Sequence, residues 1–543
     1  MAEKPKKRGS LVTFALIGAA LVAGVSLFNL GGVVGPSTSI SIVSGSENKA
    51  LEPIVREWGE ANGVDVSMSY LGSVDISREL GKGTAAGYDA VWPAHSLWVE
   101  LGDTSKVTKH RESILRSPVV LGLRKSIAQR LGWVGRDDIT LDDIQAAALD
   151  GEFRLSMTSA TQSNSGASAY FGFLYARAGE PDVLTADHLS DPQVRSDVSD
   201  LLRLVDRSSG SSGWLKDSMV ENPAAFDAMI NYEALIIEAN QELTRTGGEP
   251  LYVIYPASGM AVADSPLAYV SKGDDAKEEA FLELQKHLLS DGVQQQLLAL
   301  GRRAGLIGLA GGGSTDVWNP DWGIDLDRAI APIPTPESAV IREALTLYQT
   351  ELRKPSLTIW VLDVSGSMEG DPISQLKQAM RLLLDPDAAA LNLLQPSSKD
   401  VTIVIPFNGT VEKRWMIEGN DPAQLATLQR NVERLQAGGG TDLYYALGQA
   451  LEMLDGYHKD GTLFDHLPAI IAMTDGASDE TNKVPLRRYI DGLTFGRDIP
   501  IHSIAFGRAD ETQLKELSQA SIGRMFKAKG DLANALRKAK GYN

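Results

Sequence analysis

The chain has 543 residues, 43% of them hydrophobic, no cysteine, and 52 Lys plus Arg against 70 Asp plus Glu, a formal net charge of −18. At about 100 to 200 residues per domain this length holds roughly three folding units, and the apolar content is that of chains that bury cores, not of disordered acidic tails. The missing cysteine excludes disulfides, thiolate metal sites, Cys nucleophiles and a lipid-modified N-terminal Cys, and the acidic balance repels phosphate backbones, which excludes a general nucleic-acid-binding role.

Residues 1–10 carry Lys4, Lys6, Lys7 and Arg8, and residues 11–30 follow without a single charge. Such a run crosses a hydrocarbon core of about 30 Å as a helix. The basic cluster stays cytoplasmic by the positive-inside rule, which puts the remainder outside. Small residues from Ala23 to Ser26 would permit signal cleavage and secretion, but the apolar run outlasts an ordinary signal core. The expectation is a cytoplasmic segment 1–10, a single-pass transmembrane anchor 11–30 in the cell membrane, and an extracytoplasmic bulk.

From about Ser37 strand-like and helix-like periods alternate. SISIV and VDVSMSYLG alternate apolar and polar residues, with Leu51, Ile54, Val55 and Trp58 at helical spacing between them. The punctuation recurs through YDAVWPA, SPVVLGL, FRLSMTS, NYEALIIEA and LAYVSKG, all read as strands, up to about Leu309. Residues 308–354 read as a joint: a glycine-rich stretch, Pro332, Pro334 and Pro336, and the amphipathic helix SAVIREALTLYQTEL. There Asp321, Asp325 and Asp327 alternate with Trp318 and Trp322. They lack the terminal Glu of a calcium-binding loop, so packing of the two Trp between domains is expected. A second α/β region starts at LTIWVLDV, with further strands VTIVIPF, AIIAMTD and IHSIAFG. Residues 355–543 hold 20 basic and 24 acidic residues, so about −17 of the net charge falls on residues 37–354.

The sharpest chemical signal is LTIWVLDVSGSMEG, an apolar strand ending in Asp363, Ser365 and Ser367. Alternate positions on an extended turn bring one carboxylate and two hydroxyls towards one point. These are hard oxygen donors, suited to Mg²⁺. The triplet alone is weak; its company matters. Thr441 follows three glycines just before a helix, and Asp475 ends another apolar strand. Open α/β sheets gather ligand groups at the carboxyl ends of strands. The set resembles the metal-ion-dependent adhesion site of von Willebrand factor type A (VWA) domains, with all five positions present: Asp363, Ser365, Ser367, Thr441 and Asp475. The resemblance implies a Rossmann-like domain over 355–543. It also implies Mg²⁺, or Mn²⁺ or Ca²⁺, held by the hydroxyls directly and by the two Asp largely through water, with an open position for an acidic residue of a protein partner. With seven scattered His and no HExxH, metalloprotease chemistry has little support, and a non-enzymatic binding role is expected.

Two polar stretches interrupt the first region where helices should begin: SGSENKALEPIV and TSATQSNSGASAYFGF. Small hydroxyl residues there serve as helix caps, yet helix N-termini also hold anions without Lys or Arg. With SISIVSGSENK, YLGSVDISREL, DAVWPAHS and SPVVLGLRKS, they make residues 37–307 resemble periplasmic or extracellular solute-binding proteins of the molybdate, sulfate and phosphate type. The resemblance implies two hinged α/β lobes closing on a small solute or anion, with Ser44, Ser46, Ser73, Ser159, Ser163, Asn164, Tyr232 and Tyr255 as ligand contacts. An anchor in place of the lipid or free form departs from that pattern. The whole reads as a membrane-anchored protein that recognises a partner through the metal and senses a small ligand in the cleft. The alternative is an oxyanion-capture component of an importer, with the VWA domain as scaffold.

Overall fold

The computed structural model describes residues 38–258, 261–304, 313–328, 330 and 332–541. The expected anchor at 11–30 and part of the joint lie outside the described residues, and among the described residues no helix is long and apolar enough to cross a membrane.

Eleven strands build the first region: β1 (Thr38–Ser44), β2 (Val64–Tyr70), β3 (Ala90–Trp92), β4 (Thr108–Ser113), β5 (Ser117–Arg124), β6 (Leu155–Thr158), β7 (Val205–Ser209), β8 (Ala228–Tyr232), β9 (Leu251–Ile254), β10 (Val262–Ala263) and β11 (Pro266–Val270). They form two sheets, in the order β2-β1-β3-β11-β4 and β10-β5-β8-β6-β7, with β9 beside β5. The chain passes between the sheets twice, from β4 to β5 and from β10 to β11. This is a two-lobed α/β domain, as expected, and the chain crosses a third time between Phe281 in the first lobe's core and Trp318 in the second lobe. Each lobe has its own apolar core, around Ile40, Ile42, Trp58 and Phe281 in the first lobe and around Leu121, Met157, Tyr170 and Leu174 in the second.

One expected strand is mostly helix. NYEALIIEA ends β8 at Tyr232, and Glu233–Arg245 is helical, with Ala234 to Ile237 all buried. A short continuous apolar run cannot distinguish a buried strand from a buried helix, and here the run continues long enough for the helix to win.

The joint belongs to the second lobe. Trp318 and Trp322 pack with Val253, Tyr255 and Leu298 inside that lobe, not between domains, and the Trp318 indole donates to Leu298 O (2.9 Å). The helix Ser338–Leu347 and its wider turn Tyr348–Leu352 put Ile341, Leu345, Tyr348 and Leu352 into the second lobe's core, where Tyr170 donates to Ala344 O (2.9 Å).

The C-terminal region has six strands: β12 (Ser356–Asp363), β13 (Val401–Phe407), β14 (Trp415–Glu418), β15 (Leu467–Thr474), β16 (Ile501–Ala505) and β17 (Met525–Lys527), in the order β14-β13-β12-β15-β16-β17. Only the edge strand β14 is antiparallel. All eight residues of β12 are buried, because a parallel sheet is covered on both faces. One face receives the helices Asp371–Leu384 and Leu532–Lys540, through Leu376, Met380, Leu383, Ala535 and Leu536. The other receives Leu443–Lys459 through Leu447, Leu451 and Leu454.

Where the joint enters this sheet, Arg353 forms a buried ion pair with Asp400, which also accepts from the Ser356 (2.7 Å) and Ser397 (2.8 Å) amides. Burial alone would raise the Asp400 carboxyl, but Arg353 and Lys540 outweigh it and hold it down at about 2. A folded-state value below the unfolded 3.8 contributes stability that is present above about pH 4 and lost as pH falls through 2. We predict that urea unfolding of the C-terminal domain loses on the order of 2 kcal/mol between pH 4 and pH 2 through this group, and that Asp400→Asn abolishes that part of the pH dependence.

Candidate functional site

Asp363 ends β12 with its side chain fully buried. Its Oδ1 accepts from the Ser365 amide (2.8 Å) and its Oδ2 from Thr474 Oγ1 (2.6 Å). Ser365 Oγ lies 3.1 Å from Ser367 Oγ, and Ser367 Oγ donates to Asp475 Oδ1 (2.7 Å). Thus the first and third loops meet through side chains, and a line of oxygens runs from Ser365 to Asp475.

The second loop is tied in by backbone. Gly366 N donates to Gly439 O (3.0 Å) and Gly438 N to Val364 O (2.8 Å), while Thr441 O accepts from Asp479 N (2.8 Å). Asn408, just after β13, donates through Nδ2 to Gly438 O (3.1 Å), and its own carbonyl accepts from Asp442 N (2.9 Å). The three loops therefore hold Asp363, Ser365, Ser367, Thr441 and Asp475 at one end of the sheet. Gly507 closes the back of the cluster at φ +59°, and a Cβ there would stand 2.9 Å from Asp475 Cβ.

The electrostatics of this cluster favour a cation. Burial raises the Asp363 carboxyl above its ordinary range, the Ser365 and Thr474 hydrogen bonds oppose that, and the Asp475 charge adds to it. Among the described residues no three His, Asp or Glu side chains gather as a metal cluster. The donor set here is different: two carboxylates and hydroxyls, neutral oxygen donors of the kind a hard divalent ion accepts. Ser365 and Asp475 are buried whereas Ser367 is exposed, so the oxygens open to solvent on one side. The residues present fit such an ion. Thr474 and Asn408 escaped the sequence reading because their work is to position others, and nothing in their spacing marks it.

In the first region a cavity of about 500 Å³ lies between the lobes. Of the expected contacts, Ser46, Ser73, Ser163 and Asn164 line it. Ser46 Oγ accepts from Ser211 Oγ (3.1 Å) and Gly213 N (3.3 Å), bridging the lobes. Asn164 accepts from the Trp98 indole (2.6 Å) and donates to Ser168 Oγ (3.1 Å) and Tyr232 OH (3.0 Å), so its amide is largely consumed in holding the second lobe's helix start against the first lobe.

The other four lie elsewhere. Ser44 is buried in hydrogen bonds with Trp92 O and Asn48. Tyr232 is buried behind Asn164, and the Tyr255 hydroxyl donates to the buried Glu233, which also pairs with Arg303. Ser159 faces a separate small interdomain void beside Tyr348 and Lys540. Ser44, Tyr232 and Tyr255 are polar groups inside the packed lobes, and each has an internal partner. Trp214, Gln162 and Lys216 line the cavity and were not expected; Trp214 stands near the start of the helix Ser212–Glu221, which a cap search at Ser211 would have located.

Against known proteins, residues 40–303 match the family model for bacterial extracellular solute-binding proteins and residues 358–477 that for the von Willebrand factor type A domain. The chain thus joins a solute-binding-protein-like domain to a VWA domain. It is similar to human inter-alpha-trypsin inhibitor heavy chain H2, 26% identical over 194 residues, which is 35% of this chain and 20% of that relative. The chain therefore spans about a fifth of that relative's length. Among solved structures it is similar to the sulfate-binding protein SubI from Mycobacterium tuberculosis (17% identity, TM-score 0.37, 55% of this chain and 92% of that one). It is also similar to a von Willebrand factor type A protein from Catenulispora acidiphila (18% identity, TM-score 0.29, 35% and 43%).

Asn164→Ala should destabilise the first domain by about 1 to 3 kcal/mol, since it leaves the buried Trp98 N–H without its acceptor. Urea unfolding followed by Trp fluorescence measures this, and an unchanged midpoint would show that the Asn164 amide does not hold the lobes.

Proposed function

We propose that this is a non-enzymatic, extracytoplasmic binding protein, tethered to the membrane by residues 11–30, that recognises a protein partner through a divalent cation on its VWA domain and takes a small ligand in its cleft. The observation that carries the reading is the oxygen cluster at the strand ends, with two carboxylates and a solvent-facing side.

Asp363, Ser365, Ser367, Thr441 and Asp475 would hold Mg²⁺, or Mn²⁺ or Ca²⁺, and the bound ion would supply a position for a carboxylate of the partner. Thr474 and Ser365 N keep Asp363 oriented, and Ser367 keeps Asp475 turned towards it. Tyr445 and Val484, 40% and 58% exposed, stand on the first turns of the helices that follow the second and third loops. Exposed apolar groups near a polar centre suit a protein surface better than a lone solute.

The solute-binding family of residues 40–303 supports both the extracytoplasmic location and a ligand in the cleft. Within the cavity the Ser46 hydroxyl is engaged with Ser211 and Gly213 across the cleft, and the Ser163 hydroxyl with Ser212 inside the second lobe.

Asp363→Ala and Ser365→Ala should abolish Mg²⁺-dependent partner binding while the fold is retained. Surface plasmon resonance against membrane extracts fractionated for Mg²⁺-dependent binders, with circular dichroism of each variant, tests this. Equal partner binding in EDTA would sink the metal reading.

A further inference from the structure

The cavity between the lobes has a third wall. Besides Ser46, Ser73 and Lys49 of the first lobe and Ser163, Trp214 and Lys216 of the second, it is lined by Arg524, Phe526 and Lys538 of the VWA domain. These come from β17, from the residue just before it, and from the C-terminal helix Leu532–Lys540.

That wall is fastened to both lobes. Arg537 forms a largely buried ion pair with Asp75 of the first lobe. Its carbonyl accepts from Gln162 Nε2 of the second lobe (2.8 Å). Arg524 lies over the Trp214 ring of the second lobe at 6.0 Å and over Phe526 of its own domain at 5.3 Å. The lobes are also bridged directly, by Ser46 with Ser211. The helix Leu532–Lys540 thus spans the mouth of a cleft that is already closed.

Charge inside the cavity sorts by partner. Asp75 is neutralised by Arg78 and Arg537, and Lys216 is shared between Asp217 (2.7 Å) and Glu238 (3.5 Å). Lys538, which faces the cavity, makes no ion pair among the described residues; burial disfavours its charge, Asp75 favours it, and Arg537 and Arg524 disfavour it. Glu47 Oε1 is buried there without a hydrogen-bond partner. An unpaired ammonium asks for an anion; an unsatisfied carboxyl oxygen asks for a donor. The volume exceeds what a bare inorganic oxyanion fills and falls within the range of small organic ligands, about 300 to 1,000 Å³.

We propose that the VWA domain is the gate of the ligand cavity: a small hydroxylated anion is held between the two lobes and Lys538, and it exchanges only when the helix Leu532–Lys540 lifts off Asp75 and Gln162. This rests on the reading of the cleft as a ligand site and adds that the ligand and the docking of the VWA domain stabilise each other. By linkage, what loosens the helix must weaken the ligand, and the reverse.

The test titrates the full chain in EDTA, which silences the metal site, with glucose 6-phosphate, inorganic phosphate and glucose as probes, by calorimetry and stopped-flow Trp fluorescence. Glucose 6-phosphate should bind more tightly than either fragment. Lys538→Gln should weaken both phosphate probes about tenfold, the loss of one charge-assisted contact, and leave glucose unchanged. Arg537→Ala, which cuts the latch but leaves the cavity lining, should speed both association and dissociation of glucose 6-phosphate, dissociation by more, so that affinity falls. Phosphate binding that is identical in wild type and both variants would overturn the gate while leaving the cleft reading in place. Failure of both phosphate probes at millimolar concentration would overturn the gate and the cleft reading together. Neither outcome touches the metal reading, which is assayed separately with Mg²⁺.

Discussion

A carboxylate at the end of a strand buried on both faces is costly unless something compensates its charge, and Asp363 is that carboxylate. The polar architecture of the sheet's upper end follows from it. The Ser365 amide and the Thr474 hydroxyl partly satisfy its oxygens, and the glycine-rich second loop approaches closely enough to bond backbone to backbone. Asp475 is then turned towards the same point through Ser367, where a second negative charge only adds to the strain on the first. A hard divalent cation, if bound there, would offset both charges at once.

The lower end of the same sheet does different work. Asp498 precedes β16 and pairs with Arg207 of the second lobe (2.9 Å), and Leu467 and Pro468 at the start of β15 line the interdomain voids. Eight residues of β12 separate this end from Asp363, roughly 25 Å at 3.3 Å per residue. The oxygen cluster and the cavity between the lobes thus lie towards opposite ends of one sheet. The solute-binding domain docks where it leaves the oxygen cluster uncovered, and the buried Arg353–Asp400 pair fixes the joint at the docked end.

What could be read from the sequence divides along the same line. The convergence of Asp363, Ser365, Ser367, Thr441 and Asp475 at one end of the sheet was legible because each belongs to a short local pattern, an apolar strand or a glycine run followed by an oxygen donor, and open α/β sheets place those strand ends together. The cleft was legible by half. Ser46, Ser73, Ser163 and Asn164 stand at helix starts that face the gap, while Ser44, Ser159, Tyr232 and Tyr255 are the same residue types spent on internal partners or on another void. Residue type cannot distinguish the two uses. NYEALIIEA was ambiguous for a related reason, since burial on all sides erases the period that separates helix from strand. Trp318 and Trp322 sit in a segment that looks like a linker yet pack within one lobe. Lys538 and Arg524 had no local signal at all: they reach the cavity only because two domains far apart in the chain dock together.

The central claim is that Asp363, Ser365, Ser367, Thr441 and Asp475 form a cation site. Anomalous diffraction from crystals of the chain grown with Mn²⁺, collected above and below the metal edge, tests it most directly. The account predicts one dominant anomalous peak within bonding reach of Ser365 and Ser367 hydroxyls, lost in Ser365→Ala. A well-ordered loop cluster with no peak there, at Mn²⁺ levels that saturate ordinary carboxylate sites, would contradict it.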